Sequence, residues 1–145
     1  NSELIGLNGR LDTIQAAVLL EKLTIFDDEL NLRNQVSKTY KKYFNNSQYI
    51  PKNYHSAHAL FSVTLSSYKE REQLIRKLNE HNIPSVVYYK NPIHVMKGFE
   101  YLGYKKGDFP VSENLSQTIV SLPMHPYLSS LDIKEIVEAL NNKGI

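Results

Sequence analysis

Apolar residues crowd the first part of the chain at helical spacing. Between residues 11 and 23, Leu11, Ile14 and Val18 form one stripe, while Ala16, Ala17, Leu19, Leu20 and Leu23 fill most of the remaining circumference. A helix that is apolar nearly all round is expected to be buried. Further on the stripe narrows: Leu32, Val36, Tyr40, Tyr43 and Phe44 recur at helical spacing among Arg33, Lys38, Lys41 and Lys42. The simplest reading is one long helix over residues 1–45, entered through a glycine turn, with room for a bend near Asp27 and Asp28. Such a helix needs a partner at its apolar end, either another domain of the same chain or another subunit.

Residues 45–58, rich in Asn, Ser and Tyr, read as a loop. Alternation of Phe61, Val63 and Leu65 then predicts a strand, and Leu74, Ile75 and Leu78 predict a helix over 69–81, stopped by Asn82 and Pro84. Residues 85–89 read as a second strand. Residues 90–108 have little period, carry an aromatic group of Phe99, Tyr101 and Tyr104, and make a long loop of the kind that tends to be functional. Asp108 is expected to cap a short helix with Pro110 in its first turn, residues 118–122 to form a third strand, and Ser129 with Asp132 to open a final helix through Ile133, Ile136, Val137 and Leu140. The alternation of strands and helices over 46–145 implies a small α/β domain, helices layered on a sheet.

Composition removes several classes of function. The 145 residues are 41% hydrophobic and 22% charged, enough for one domain with a real core. A net charge of +2, with lysines and carboxylates interleaved, makes no case for nucleic acid or a membrane surface. The chain contains no cysteine, which excludes disulfides, thiolate metal sites and cysteine nucleophiles. No apolar run approaches the ~18 residues of a membrane span and the N-terminus has no signal-peptide core, so a cytoplasmic protein is expected. A chain that opens without methionine, directly on a glycine turn and an apolar helix, reads as an excerpt from something longer.

Chemistry is concentrated in a few places. The turn Gly6-Leu7-Asn8-Gly9-Arg10 leads into the apolar helix, so an amide and a guanidinium sit at a helix start. Asn8 is a candidate cap there, and a helix N-terminus favours anions such as phosphate or carboxylate; an ordinary capped turn is the competing reading. His55 and His58 form an H-x-x-H without a third ligand in view, so no metal is expected. His94 and His125 each lie next to proline after a predicted strand, with Tyr89 and Tyr127 close by in sequence. Strand ends are where ligand contacts collect in α/β proteins. The chain has no G-x-G-x-x-G, no P-loop and no G-x-S-x-G. Lys22 and Lys97 read as solvated charges rather than nucleophiles.

The ordered series Gly6-x-Asn8-x-Arg10-Leu11-Asp12-x-Ile14-Gln15-Ala16-Ala17, Tyr88-Tyr89-x-x-Pro92-x-His94, Gly107-Asp108-Phe109-Pro110-Val111-Ser112-Glu113 and Ser121-Leu122-Pro123-Met124-His125-Pro126-Tyr127 resembles the C-terminal part of the DegT/DnrJ/EryC1/StrS nucleotide-sugar aminotransferases. These are pyridoxal-phosphate (PLP) enzymes of the aspartate-aminotransferase fold. The resemblance implies transfer of an amino group from glutamate, through PLP, to a keto group of a nucleotide-linked sugar, in the making of cell-surface polysaccharide or a related glycan. It also implies a homodimer. Asn8 is expected to reach the cofactor phosphate of the neighbouring subunit, with Arg10 near that site. Tyr89, His94, His125 and Tyr127 are expected as substrate contacts. The Schiff-base lysine falls upstream of Asn1, so the chain alone is expected to be inactive; residues 1–45 would link to the missing large domain and the dimer interface. Lys90 stands where the family often has proline. The competing reading is a free-standing α/β module for ligand binding or dimerisation, without catalysis.

Overall fold

The computed structural model describes residues 9–141. At its centre β1 (Phe61–Thr64) and β2 (Ile119–Leu122) pair antiparallel, with Phe61 opposite Leu122 and Val63 opposite Val120. The twofold alternation of a strand turns Phe61 and Val63 to the same, buried face. Each strand gains one further bridge on its other side, Ser47 to Val63 and Val86 to Ser121.

The strand predicted over 85–89 therefore shrinks to a single bridged residue. Val86 donates its N–H to the Ser121 carbonyl at 3.2 Å and accepts the Ser121 N–H at 2.8 Å. Val87 is buried, whereas Tyr88 and Tyr89 already lie in a turn and are exposed. A segment at a sheet edge has ladder partners on one side only, and the chain leaves that edge for the turn at Pro92 before a second pair can form.

Among the described residues five helices accompany the sheet: α1 (Thr13–Thr24), α2 (Phe26–Tyr40), α3 (Tyr68–Glu80), α4 (Pro110–Thr118) and α5 (Ser130–Asn141). Val36 and Tyr40 of α2, Leu78 of α3, and Ile133, Ile136 and Val137 of α5 close over the strands in one cluster. Tyr40 is fully buried, stacks on Phe61 with ring centroids 4.6 Å apart, and donates its hydroxyl to the Pro123 carbonyl at 2.9 Å. Arg71, also buried, fixes α3 to the end of α4 by donating to the Ser116 carbonyl at 2.7 Å, a cation placed where a helix C-terminus favours one.

Of the caps expected from the sequence, that at Ser129 and Asp132 is found and those at Asp108 and Asn8 are not, while Ser67 is a cap that the sequence pattern did not single out. Ser67 accepts the Glu70 N–H at the start of α3. Ser129 and Asp132 exchange bonds at 3.1 and 2.7 Å as the reciprocal cap of α5. Asp108 does not cap α4: Phe109 holds that position, and Asp108 instead accepts the Lys105 N–H at 2.8 Å. At α1 the cap is Asp12, accepting the Gln15 N–H at 2.8 Å; Asn8 lies outside the described residues.

The long first helix is broken once, at Ile25, whose φ of −111° and ψ of 3° leave the helical region. The break falls just ahead of Asp27 and Asp28, which become first-turn residues of α2. On its two sides the chain behaves differently. While α2 packs into the core, α1 buries none of its residues, with Ile14 80% and Leu20 66% exposed. Among the described residues none buries α1, so the burial expected of this helix would have to come from the domain or subunit that the sequence called for. Among the described residues no helix is long and apolar enough to cross a membrane.

Candidate functional site

The aperiodic stretch between the Val86 bridge and α4 is organised by two 3-10 turns and one carboxylate. Residues Ile93–Val95 and Lys97–Leu102 form the turns, and the second ends on Gly103, whose φ of 76° suits a residue without a side chain. Glu113, in the first turn of α4, reaches back over the loop. Its Oε1 accepts the Gly107 N–H at 2.7 Å, His94 Nε2 at 3.0 Å and the Phe109 N–H at 3.4 Å. The Gly107 amide, then His94 and the Phe109 amide, hold this carboxyl below the usual range despite the cost of desolvation. Because the ionised carboxylate can only accept, Nε2 is the ring nitrogen that carries hydrogen. His94 is buried, its ring 4.8 Å from that of Phe109, which in turn meets Tyr104 edge-on at 5.0 Å.

Above this knot lies an open cleft of about 650 Å³ between the 88–93 turn and α4. Tyr88, Tyr89, Ile93, Phe109, Val111 and Leu115 give it largely apolar walls, with Asn91, Asp108, Ser112 and Ser116 among its polar groups. Tyr89 thus stands in the wall of a cleft, as a ligand contact should, whereas His94 lies beneath it and faces Glu113.

A second carboxylate organises the other candidates. Glu29, buried at the start of α2, accepts the Tyr127 hydroxyl at 2.7 Å and the Lys22 ammonium at 2.8 Å through the same Oε1. The Lys22 and Tyr127 bonds lower the pKa of Glu29, and the bond to Glu29 raises those of Lys22 and Tyr127. Lys22 is therefore not the freely solvated charge read from the sequence; it ties α1 to α2 across the Ile25 break. His125 bonds the Tyr127 N–H through Nδ1 at 3.2 Å and lines a different cleft, with Pro123, Asp132 and Ile136. Tyr89 and His125 therefore occupy separate clefts.

Arg10 is exposed ahead of α1. The amide next to it in the first turn of that helix is taken by the Asp12 carboxylate, whose negative charge competes with any anion at the helix end. The group there with the chemistry to meet an anion is the Arg10 guanidinium. Among the described residues no group of three His, Asp or Glu side chains could hold a metal ion.

Sequence reasoning missed both carboxylates. Glu29 did leave a signal: it precedes Leu32, Val36 and Tyr40 by three, seven and eleven residues and so lies on the apolar stripe of α2, where an acid needs a partner.

The chain matches the DegT/DnrJ/EryC1/StrS aminotransferase family over residues 1–141. It is similar to a UDP-2-acetamido-2-deoxy-3-oxo-D-glucuronate aminotransferase of Pseudomonas aeruginosa, 35% identical over 142 residues that cover 95% of this chain and 38% of that protein. A dTDP-3-amino-3,6-dideoxy-alpha-D-galactopyranose transaminase of Aneurinibacillus thermoaerophilus is 32% identical over 140 residues, covering 96% of this chain and 38% of that protein. Among solved structures, a DegT DnrJ EryC1 StrS aminotransferase from Brucella abortus matches with a TM-score of 0.81 and 40% identity, over 94% of this chain and 36% of that one. The chain thus spans well under half the length of these relatives, and its α/β arrangement is that of one part of such an aminotransferase.

Proposed function

Because the chain belongs to the DegT/DnrJ/EryC1/StrS aminotransferase family, we propose that it is part of a PLP-dependent enzyme that moves an amino group from glutamate to a keto group of a nucleotide-linked sugar. The enzyme would act in the cytoplasm, in making cell-surface polysaccharide or a related glycan. The observation that carries this reading is the alignment of nearly the whole chain with a named nucleotide-sugar aminotransferase.

The described residues do not form a complete cofactor site. The Schiff-base lysine would lie in another part of the enzyme, a reading supported by the lining of the aromatic cleft and of the one beside His125, which holds no lysine. Bound PLP would supply the electron sink for transamination. From this chain Asn8 and Arg10 would serve the cofactor and substrate of a neighbouring subunit, the guanidinium suiting a phosphate or carboxylate. On the substrate side, Tyr89 would offer a ring face and a hydroxyl, and His125 and Tyr127 further hydrogen bonds, at the sugar nucleotide.

Residues 1–45 would join the small domain of 46–145 to the large domain and to the second subunit of a homodimer. The exposed, apolar α1 supports this reading over a free-standing module, since apolar residues on every side of a helix are a liability until covered.

The test is an assay of the full-length protein with glutamate and nucleotide-linked keto sugars, reading 2-oxoglutarate release. Transfer to a nucleotide sugar, and none to the free sugar, is expected. A folded, PLP-loaded protein that releases no 2-oxoglutarate with any such substrate overturns the reading. The chain of 145 residues alone, treated with PLP and borohydride, should show no stoichiometric lysine adduct.

A further inference from the structure

We infer that Glu113 is a positioning residue that sets the shape of the aromatic cleft, and through it the affinity for the nucleotide-sugar substrate; the inference rests on the function proposed above. Three observations converge on it. First, a single oxygen of Glu113 holds three groups from two separate segments: His94 of the Ile93–Val95 turn, and the amides of Gly107 and Phe109. Second, Gly107 adopts a φ of 102° and has no side chain to anchor the loop, so its amide is the handle by which the loop is held. Third, the groups so held continue directly into the cleft. The His94 ring backs onto Phe109, Phe109 is a cleft wall, and Ile93, the neighbour of His94, stands among the cleft-lining residues.

The carboxylate itself is not among the residues lining the cleft. Its effect must therefore pass through the groups it holds. Removing the acceptor frees the Gly107 amide and the imidazole together, and Phe109 loses the fixed ring behind it. The aromatic wall then samples several positions, and binding a ligand has to select one of them, which weakens affinity in proportion to the fraction of time the wall is correctly placed. The chemical step, which depends on groups elsewhere in the enzyme, is left intact.

Glu113→Ala and Glu113→Gln in the full-length protein test this. Gln keeps a carbonyl oxygen for one of the amides but loses the charge, so it should lie between wild type and Ala. In the Ala variant, amide exchange at Gly107 and Phe109 should accelerate about tenfold, the change expected when a bond to a charged acceptor is lost, while amides of α3 and α5 keep their protection. KM for the nucleotide sugar should rise with kcat and KM for glutamate held. His94→Gln serves as a second variant should Glu113→Ala fail to fold, with the same loss of affinity expected. Unchanged exchange at Gly107 overturns the inference, and so does a fall in kcat at unchanged KM. A wild-type enzyme that neither binds nor turns over nucleotide sugars removes the proposed function, an outcome read separately from the exchange at Gly107.

Discussion

A buried tyrosine and a few hydrogen-bonded carboxylates carry much of the order in this chain. Tyr40 donates to a backbone carbonyl from inside the core, and burial pushes its hydroxyl well above the ordinary value for tyrosine, so it stays neutral. Tyr40→Phe keeps the stacking on Phe61 but leaves the Pro123 carbonyl without its donor. A loss of about 1–2 kcal/mol is expected from urea unfolding, and no loss would mean that water replaces the hydroxyl. The carboxylates act differently. Glu29, Glu113 and Asp132 all lie below their ordinary values, drawn down by Lys22 and Tyr127, by the Gly107 amide and His94, and by Ser129. A depressed carboxyl stabilises the fold fully above its unfolded value, 4.5 for the glutamates and 3.8 for Asp132, and loses that contribution as the pH falls through the folded value. Urea midpoints should therefore fall a little below about pH 6.5, where burial keeps His58 from taking up the proton it binds when unfolded, and decline further below about pH 4.5 as the carboxylates are protonated. Glu113→Gln should flatten part of that decline, and an unaltered acid limb would remove Glu113 from it. The Glu29 partnership was not legible from sequence, because Glu29 meets Tyr127 across 98 positions and no local period records such a contact.

At the scale of elements, what was legible is what is local. The helix start at Ser129 was readable because a cap is written within four residues; the start at Ser67 is as local, but the apolar period placed it at residue 69. Ser67→Ala should cost about 1 kcal/mol, with α3 losing amide protection at its first turn before any other helix; an unchanged urea midpoint would mean that the Glu70 carboxylate, which accepts the Ser66 N–H at 3.0 Å, caps the helix unaided. The strand at Phe61 was readable because one of its faces is buried. The supposed strand at 85–89 was not, because a run of Val and Tyr looks the same at a sheet edge as in a turn, and only the length of the neighbouring strand decides. Likewise, nothing in the period of residues 90–108 betrays the 3-10 turns, which depend on Glu113 and on Gly103 at a left-handed angle.

For the molecule as a whole, the decisive contrast is between the two helices flanking Ile25. Both read as one element in the sequence, yet α2 supplies Val36 and Tyr40 to the core while α1 supplies nothing. The apolar character of α1 is therefore not explained by packing among the described residues, and the proposed association would account for it. Ile14→Glu together with Leu20→Lys, both exposed, separates the two contributions. In the 145-residue chain the urea midpoint should move by less than about 0.5 kcal/mol, since exposed substitutions seldom cost more. Light scattering should show self-association of the unsubstituted chain with rising concentration, and its loss in the double variant. In the full-length protein the same pair should dissociate the proposed dimer and abolish the proposed transfer while leaving α3, α5 and the strands protected from exchange. A double variant that still associates, or one whose core unfolds, would show that α1 belongs to the fold of this chain rather than to its partner.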